Sequence, residues 1–207
     1  MLGAMVALPD SGGMLFTGKL SLHTHPWLAD HVVRGSVVFP GTGFVELAVR
    51  AGDAVGCGQV SELVLEAPLV LPTQGGCQIQ IVLTEQERQL PQEQGRWSIA
   101  VHARPDGGET WTRHATGVLT SAESALDTTV FDELSATWPP AGASAGDTSG
   151  IYADETDVVY GPVFQGLTRV WTLGDRVWAE AELPEDQGNP PRRLACTQRC
   201  WTRWCRR

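Results

Sequence analysis

The sequence lacks the long apolar run that a membrane-spanning helix needs. None of its stretches approaches the roughly 20 consecutive apolar residues that cross a bilayer. Its first segment, Met1–Gly13, also lacks the basic flank and apolar centre of a secretory signal peptide. These absences argue against a helical membrane protein and predict a cytoplasmic location.

Positive charge is also scarce. The chain has 15 Lys and Arg against 24 Asp and Glu, a net charge of −9, so neither nucleic acid nor an anionic membrane is an expected partner. Residues 188–207 reverse this balance, because they contain six arginines and no acid. The first 187 residues therefore hold 15 − 6 = 9 basic and 24 acidic residues, a net charge of −15.

Cysteine is sparse, with five residues in the chain. Cys57 and Cys77 are isolated in sequence and predict buried or half-buried reduced thiols. Cys196, Cys200 and Cys205 have the spacing C-x₃-C-x₄-C, which offers three ligands in no standard zinc arrangement. No metal site is predicted.

What the sequence does contain is a series of short β-like runs and one amphipathic helix. The predicted strands are Leu15–Leu22, Val32–Phe39, Ser61–Leu71, Cys77–Thr84, Trp97–Arg104, Thr110–Leu119, Thr168–Leu173 and Arg176–Leu183. The helix is predicted over Gly43–Val55, where apolar residues recur at i, i+3, i+4 and i+7, with Thr42 as its N-cap. One apolar helix followed by antiparallel strands predicts an α+β fold, with a sheet wrapped around a central helix.

The composition also predicts how the chain is divided. Residues 136–150 are rich in Pro, Gly, Ala and Ser and predict a linker. A first unit over residues 1–135 precedes it, and a second unit over residues 151–187 follows it. The second unit is predicted to begin with a short helical or turn stretch, Tyr152–Val159.

The stretch HPWLADHVVRGSVVFPGTGFVELA, residues 25–48, carries the chemistry. It places a histidine, His31, before a strand that ends at a glycine-rich helix start. A neutral imidazole titrates near pH 7 and can act as a general base. Amides at a helix N-terminus can stabilise negative charge that develops on a carbonyl oxygen. Alone, a histidine in such a loop is more often structural, and His23, His25, His102 and His114 are interpreted in that way.

Three segments resemble one family. The spacing from His31 through Gly35 to Pro40 matches the HxxxGxxxxP signature of polyketide synthase dehydratase domains. The segment YGPVFQGL, residues 160–167, matches the second signature of that family, and WTRHATGVL, residues 111–119, resembles the strand before its linker. The three matches occur in the family's order and together extend the resemblance over residues 20–187.

The resemblance implies a double hotdog fold, in which two halves each wrap a sheet around a helix and the active site lies between them. Members of this family dehydrate a 3-hydroxyacyl thioester carried on the phosphopantetheine arm of an acyl carrier protein. The domain itself is expected to bind no cofactor. The expected partners are acyl carrier protein, neighbouring synthase domains and, in the parent protein, a second copy.

The resemblance also implies roles for particular residues. His31 is the expected general base, and an aspartate in a DxxxQ or DxxxH motif of the second half is its acid partner. The helix start, with Gly41, Gly43 and Phe44, is expected to bind substrate by polarising the thioester carbonyl.

Further positions have expected roles in substrate binding or in the backbone. Tyr160, Gly161 and Pro162 are expected to shape the cleft wall. Tyr160 either bonds substrate or simply packs in a turn. Gly35 is expected to permit a close approach, and Pro40 to fix the turn into the helix. Glu46 on the helix is a tempting acid, but it is interpreted as structural.

The tail departs from the family, because no aspartate follows Asp186 and the sequence RLACTQRCWTRWCRR stands where a segment similar to FGLHPALLDAALQ is expected. Codons for residues 195–207 can be chosen so that, begun one base earlier with a G, they encode GLHPALLDAVVQ. The tail, residues 188–207, is therefore interpreted as a frameshifted translation. This interpretation predicts a second hotdog that is incomplete and a chain that is inactive as it stands.

Two other functions remain open at this stage. One is a dehydratase variant that also cyclises its product or shifts a double bond, which would use the same His and Asp pair. The other is a non-catalytic hotdog module that binds acyl carrier protein.

Overall fold

A computed structural model describes residues 1–86, 95–121, 138–152 and 157–182. The chain forms two compact units, Met1–Glu123 and Ser124–Arg207. The tail that is interpreted as frameshifted, residues 188–207, lies outside the described residues.

The first unit is built on an antiparallel sheet. Its elements are β1 (Leu2–Leu8), β2 (Gly13–Leu20), a 3₁₀ segment (Pro26–Asp30), β3 (His31–Val33), β4 (Ser36–Val37), α1 (Gly41–Asp53), β5 (Gln59–Leu65), β6 (Cys77–Glu85), β7 (Arg96–Pro105) and β8 (Thr112–Thr120). The sheet has the order β1-β2-β6-β7-β8-β5 with antiparallel neighbours throughout. Strands β3 and β4 form a separate hairpin between β2 and α1.

Alternation along the strands and helical periodicity in α1 build one core. In β6 the buried residues Cys77, Ile79, Ile81 and Leu83 alternate with less buried ones, as a period of two requires. The buried face of α1 contributes Phe44, Leu47, Ala48 and Ala51 to the same cluster. Burying each large aliphatic side chain contributes roughly 1.5–3 kcal/mol. The α+β arrangement of a sheet around one helix, predicted from the sequence, is confirmed.

The second unit has a smaller sheet. The elements of this unit are β9 (Ser144–Ala145), β10 (Val158–Tyr160), a 3₁₀ segment (Pro162–Phe164), β11 (Leu167–Leu173) and β12 (Arg176–Ala181). Three of these strands form the sheet, in the order β12-β11-β9, with antiparallel neighbours. Its buried aromatic residue is Trp171, whose ring centroid lies 5.2 Å from that of Trp138 in an edge-to-face contact.

Several predicted elements differ in detail. The strand predicted over residues 32–39 is a hairpin with a turn at Arg34 and Gly35, and β5 ends at Leu65 rather than at residue 71. Residues 158 and 159, predicted as the end of a helical or turn stretch, belong to β10. The predicted linker contains β9, which pairs with β11. At β9 the tertiary pairing with β11 overrides the local propensity of a Pro- and Gly-rich segment.

Two further differences concern the start of the chain and of the helix. Strand β1 was not predicted, because LGAMVAL has no apolar–polar alternation and most of its residues are exposed at the sheet edge. Helix α1 begins two residues earlier than predicted, and its N-cap is Pro40 rather than Thr42. Pro40 has an extended ψ of 149° at a φ of −70°, a φ that its ring fixes.

Candidate active site

His31 lies where two local structures meet. It ends the 3₁₀ segment Pro26–Asp30, since its amide donates to the carbonyl of Leu28, and it begins β3. Leu28 is fully buried, which anchors this segment in the core. The carbonyl of His31 accepts a hydrogen bond of 3.1 Å from the amide of Val38, in the chain that leaves the hairpin. The half-buried side chain of His31 therefore stands on a backbone that is fixed on both sides.

The hydrogen bond made by the imidazole ring defines its tautomer. Nδ1 of His31 lies 2.8 Å from the carbonyl oxygen of Val38. A carbonyl oxygen only accepts, so Nδ1 carries the proton and donates. In the neutral ring the basic lone pair is then on Nε2. This is the form of histidine that can remove a proton from a substrate at Nε2.

The hairpin turn explains the glycine of the first signature. Arg34 and Gly35 have φ values of +49° and +78°, and β3 and β4 pair directly on either side of them. Two successive residues with positive φ are typical of the type I′ turn that suits a two-residue hairpin. A Cβ added to Gly35 would meet open space. The expected close approach at Gly35 is therefore wrong, and its role is to supply a positive φ.

The start of α1 follows directly from the hairpin. The amides of Gly43 and Phe44 both donate to the carbonyl of Pro40, at 2.9 and 3.4 Å. The amides of Gly41 and Thr42 come before those of Gly43 and Phe44 in the helix. They lie at the positive end of the helix dipole. The expectation that Gly43 and Phe44 also present their amides to substrate is corrected by these bonds.

Gly43 has a packing role that the sequence did not indicate. A Cβ at Gly43 would lie 2.5 Å from the ring of Phe39. Phe39 is buried, and its ring also meets the ring of Phe44 edge-to-face at 5.0 Å. The absence of a side chain at Gly43 thus lets the aromatic residue before Pro40 pack onto the first turn of α1.

Glu46 is held in an ion pair on α1. Its Oε1 accepts a hydrogen bond of 2.8 Å from Nε of Arg50, one turn later in the helix. This arrangement is an i, i+4 ion pair within the helix, with the Arg50 side chain exposed and the Glu46 side chain mostly buried. The structural interpretation of Glu46 stays a prediction.

The second signature forms a compact turn in the second unit. Tyr160 ends β10, Gly161 is the N-cap of the following 3₁₀ segment, and Pro162 begins that segment. The ring of Tyr160 lies 6.0 Å from the ring of Tyr152 and 6.5 Å from that of Phe164, measured between centroids. Its carbonyl accepts a hydrogen bond of 2.6 Å from the side chain of Gln165. The ring of Tyr160 therefore packs beside the rings of Tyr152 and Phe164, and its expected contact with substrate stays a prediction.

Of the other histidines, His114 is buried, His25 and His102 are half-buried, and His23 is exposed. Nδ1 of His114, a buried residue, lies 3.1 Å from the carbonyl of Ala67. Burial lowers the pKa of His102 below the usual range, and the positive charge of Arg113 adds to this effect, while Glu66 opposes it. Burial likewise lowers the pKa of His25.

Cys57 and Cys77 are buried free thiols, as the sequence predicts, and burial raises the pKa of each. Within the described ranges no group of three or more His, Cys, Asp or Glu side chains is arranged to hold a metal ion. In that same part of the chain no helix is both long and apolar enough to span a membrane.

Sequence reasoning missed the partner of His31. The hairpin register could have identified it, because a two-residue turn at positions 34 and 35 pairs 33 with 36 and 32 with 37. The next position, Val38, then faces His31. The signal was therefore present in the spacing between the histidine and Gly35.

The family model described as polyketide synthase dehydratase domain matches residues 1–104. Among curated proteins, the chain is 53% identical over 189 residues to polyketide synthase GfsA of Streptomyces halstedii, an alignment that covers 89% of this chain and 2% of that synthase. The chain thus corresponds to a small part of a very large protein.

Solved dehydratase structures share the fold. A dehydratase from work on the borrelidin and fluvirucin polyketide synthases is 53% identical to this chain, with a TM-score of 0.79. The alignment covers 89% of this chain and 64% of that dehydratase chain. The bifunctional dehydratase-cyclase domain of ambruticin biosynthesis is 43% identical to this chain, with a TM-score of 0.77. That alignment covers 89% of this chain and 65% of the dehydratase-cyclase chain. The chain spans about two thirds of these hotdog domains, and it belongs to the polyketide synthase dehydratase family.

Proposed function

We propose that this chain is the His31-bearing part of a dehydratase that removes water from a 3-hydroxyacyl thioester on acyl carrier protein and leaves an enoyl thioester. The observation that carries the proposal is the 2.8 Å hydrogen bond from His31 Nδ1 to the carbonyl of Val38. It fixes the tautomer that a general base acting through Nε2 requires.

In this mechanism Nε2 of His31 takes the proton from the α-carbon of the thioester. The electron pair of that C–H bond forms the new double bond, and the bond to the β-hydroxyl breaks. The hydroxyl leaves as water once it has received a proton from an acid, the aspartate of the family's DxxxQ or DxxxH motif. An acid kept protonated by burial is suited to that step.

Negative charge develops on the thioester oxygen while the α-proton is removed. The amides of Gly41 and Thr42 stand at the positive end of α1, ahead of the two amides that bind Pro40. We assign the carbonyl-polarising role to this pair. Oxyanion donors of this kind typically contribute about 10²–10³ in rate.

We propose that the acid partner of His31 is missing from the sequence as given. No aspartate follows Asp186 in the sequence, and positioned acid–base groups typically contribute about 10²–10⁴ in rate each. We therefore propose that residues 188–207 are a frameshifted translation and that the chain is inactive as it stands. Sequencing the coding DNA from the codon of Trp178 past that of Arg207 tests this. Finding the motif GLHPALLDAVVQ in no frame would overturn it.

The assignment of His31 is tested in a protein whose frame has been restored. Turnover of synthetic 3-hydroxyacyl thioesters, loaded on acyl carrier protein, is compared for His31→Ala and the matched control His23→Ala, since His23 is exposed and precedes the 3₁₀ segment. We expect His31→Ala to lose about 10²–10⁴ in turnover while carrier-protein binding is retained. Unchanged turnover would leave the non-catalytic carrier-binding module as the better explanation.

Tyr160, Gly161 and Pro162 are proposed to form part of the cleft wall in the complete domain. Their compact turn presents a rigid surface rather than a reactive group. In the same turnover assay, Glu46→Gln is expected to leave turnover nearly unchanged, because the Glu46 carboxylate is held in an i, i+4 ion pair with Arg50 and is proposed to have a structural role.

A second candidate function is that of the bifunctional dehydratase-cyclase domain of ambruticin biosynthesis, to which the chain is 43% identical. A dehydratase that also closes a ring would use the same histidine. Ring closure adds a distal hydroxyl across the enoyl double bond, forming a C–O bond at the β-carbon and a C–H bond at the α-carbon. The cyclic product is therefore a saturated isomer of the open enoyl product with the same mass, so the products should be separated and examined by NMR. Substrates that carry a distal hydroxyl would reveal ring closure, and substrates without one would report dehydration alone.

A further inference from the structure

A hydrogen-bonded turn directly precedes the segment that carries His31. Ser21 follows β2 and is only 4% exposed. Its Oγ accepts a hydrogen bond of 3.2 Å from the amide of Thr24 and lies 2.9 Å from Thr24 Oγ1. Its carbonyl accepts a hydrogen bond of 2.9 Å from the amide of His25. The side chain and the carbonyl of buried Ser21 therefore hold residues 21–25 in a turn.

His25 connects this turn to the next segment. Its Nδ1 lies 2.9 Å from Oγ1 of Thr24, and its carbonyl accepts the amide of Leu28 at 3.1 Å. Burial lowers the pKa of His25. The ring is therefore neutral near pH 7 and introduces no charge into the turn.

The connection reaches His31 through one turn of 3₁₀ helix. Leu28 is fully buried, and its carbonyl accepts the amide of His31. Three successive main-chain hydrogen bonds thus connect Ser21 to His31. The amides of residues 25, 28 and 31 donate to the carbonyls of residues 21, 25 and 28. A sheet strand in the core, β2, is linked in this way to the backbone of the proposed base.

We propose that Ser21 and Thr24 are positioning residues, which fix the entry of the backbone into His31 so that its Nδ1 faces the carbonyl of Val38. This inference rests on the proposed function, because it assigns a purpose to the orientation of the base. Productive geometry in catalytic sites depends on supporting residues of this kind, and displacements of about 1 Å can cost 10²-fold in rate.

The test measures the tautomer of His31 in the full 207-residue chain, so it does not depend on turnover. Histidine is labelled with ¹⁵N, the His31 signals are assigned with His31→Gln, and the Nδ1 and Nε2 shifts are recorded near pH 7.5. The variants are Ser21→Ala, Thr24→Val and the conservative Thr24→Ser. Thr112→Val, an exposed position on β8, is the matched control.

We expect Ser21→Ala and Thr24→Val to move both ¹⁵N shifts of His31 towards the average of a tautomer mixture. Thr24→Ser and Thr112→Val should retain the separated shifts of the Nδ1–H form. The proposal is overturned if Ser21→Ala and Thr24→Val lower the melting temperature and leave the His31 shifts unchanged, which is the behaviour of a turn with a structural role alone. Failure of the base assignment would show instead in the turnover of His31→Ala.

Discussion

The imidazole Nδ1 of His31 lies 2.8 Å from the carbonyl oxygen of Val38, and the amide of Val38 donates back to the carbonyl of His31 at 3.1 Å. Side chain and main chain of the same residue are thus tied to one partner across the hairpin. The ring orientation is consequently linked to the backbone geometry of the HxxxGxxxxP segment. Stability and chemistry at this position can therefore be separated by substitution.

Replacing His31 with Asn should preserve the hairpin but not the base. An asparagine Nδ2 can take the place of the imidazole Nδ1 as donor to Val38, whereas alanine has no donor. We expect His31→Ala to lower the free energy of unfolding by about 0.5–1.5 kcal/mol and His31→Asn by clearly less. Urea unfolding of both, with His23→Ala as control, measures this. Equal losses for Asn and Ala would contradict a structural role of the Nδ1 bond.

Gly43→Ala should be destabilising although alanine is the better helix former. Its Cβ would lie 2.5 Å from the buried ring of Phe39, so the aromatic pair of Phe39 and Phe44 must shift. Overpacking of this kind costs about 1–3 kcal/mol. Gly41→Ala is the matched control, because its Cβ would meet Leu65 at an acceptable 3.4 Å. Thermal unfolding should show a loss for Gly43→Ala and none of that size for Gly41→Ala.

The two turn residues of the β3–β4 hairpin should respond with opposite signs. Gly35→Ala places a Cβ at a φ of +78° and is expected to cost about 1–2 kcal/mol. Arg34→Asn replaces a residue strained at a φ of +49° with one that tolerates this region, and is expected to stabilise by about 0.5–1 kcal/mol. Chemical unfolding of the two variants checks both signs. A loss of stability in Arg34→Asn would mean that the arginine side chain outweighs its backbone strain.

The core and the family were readable from the sequence because they depend on local patterns. Period-two burial in β6 and the apolar face of α1 follow from residue order alone. The first signature places His31, Gly35 and Pro40 at a spacing that the hairpin and the helix start require. Such features need no knowledge of distant contacts.

What could not be read depends on packing between separated segments. The ring of Phe39 against Gly43 and the choice of Pro40 as N-cap arise from the path of the chain out of the hairpin. Strand β1 pairs with β2 at the sheet edge without an alternating pattern of its own. The sequence also gave no sign that Gly43 and Phe44 amides are already bound to Pro40.

Acid should destabilise the protein through His102 before the carboxylates titrate. Burial and the nearby Arg113 lower the pKa of His102 in the folded state, while an unfolded histidine titrates near 6.5. As pH falls through that value the unfolded chain binds the proton first, so the free energy of unfolding decreases towards pH 5 or so. The lowered pKa of His25 acts with the same sign.

His102→Gln should therefore flatten, but not abolish, the loss of stability between about pH 7.5 and pH 5. Urea unfolding at several pH values measures the slope, and His23→Gln, at an exposed position, should leave it unchanged. Measurements stay above pH 5 because the pKa of Glu66 is lowered by its hydrogen bonds to Arg113 and Thr116, and its stabilisation is lost as pH falls below the ordinary value of 4.5. An identical slope in His102→Gln would show that protonation at this ring is not coupled to folding.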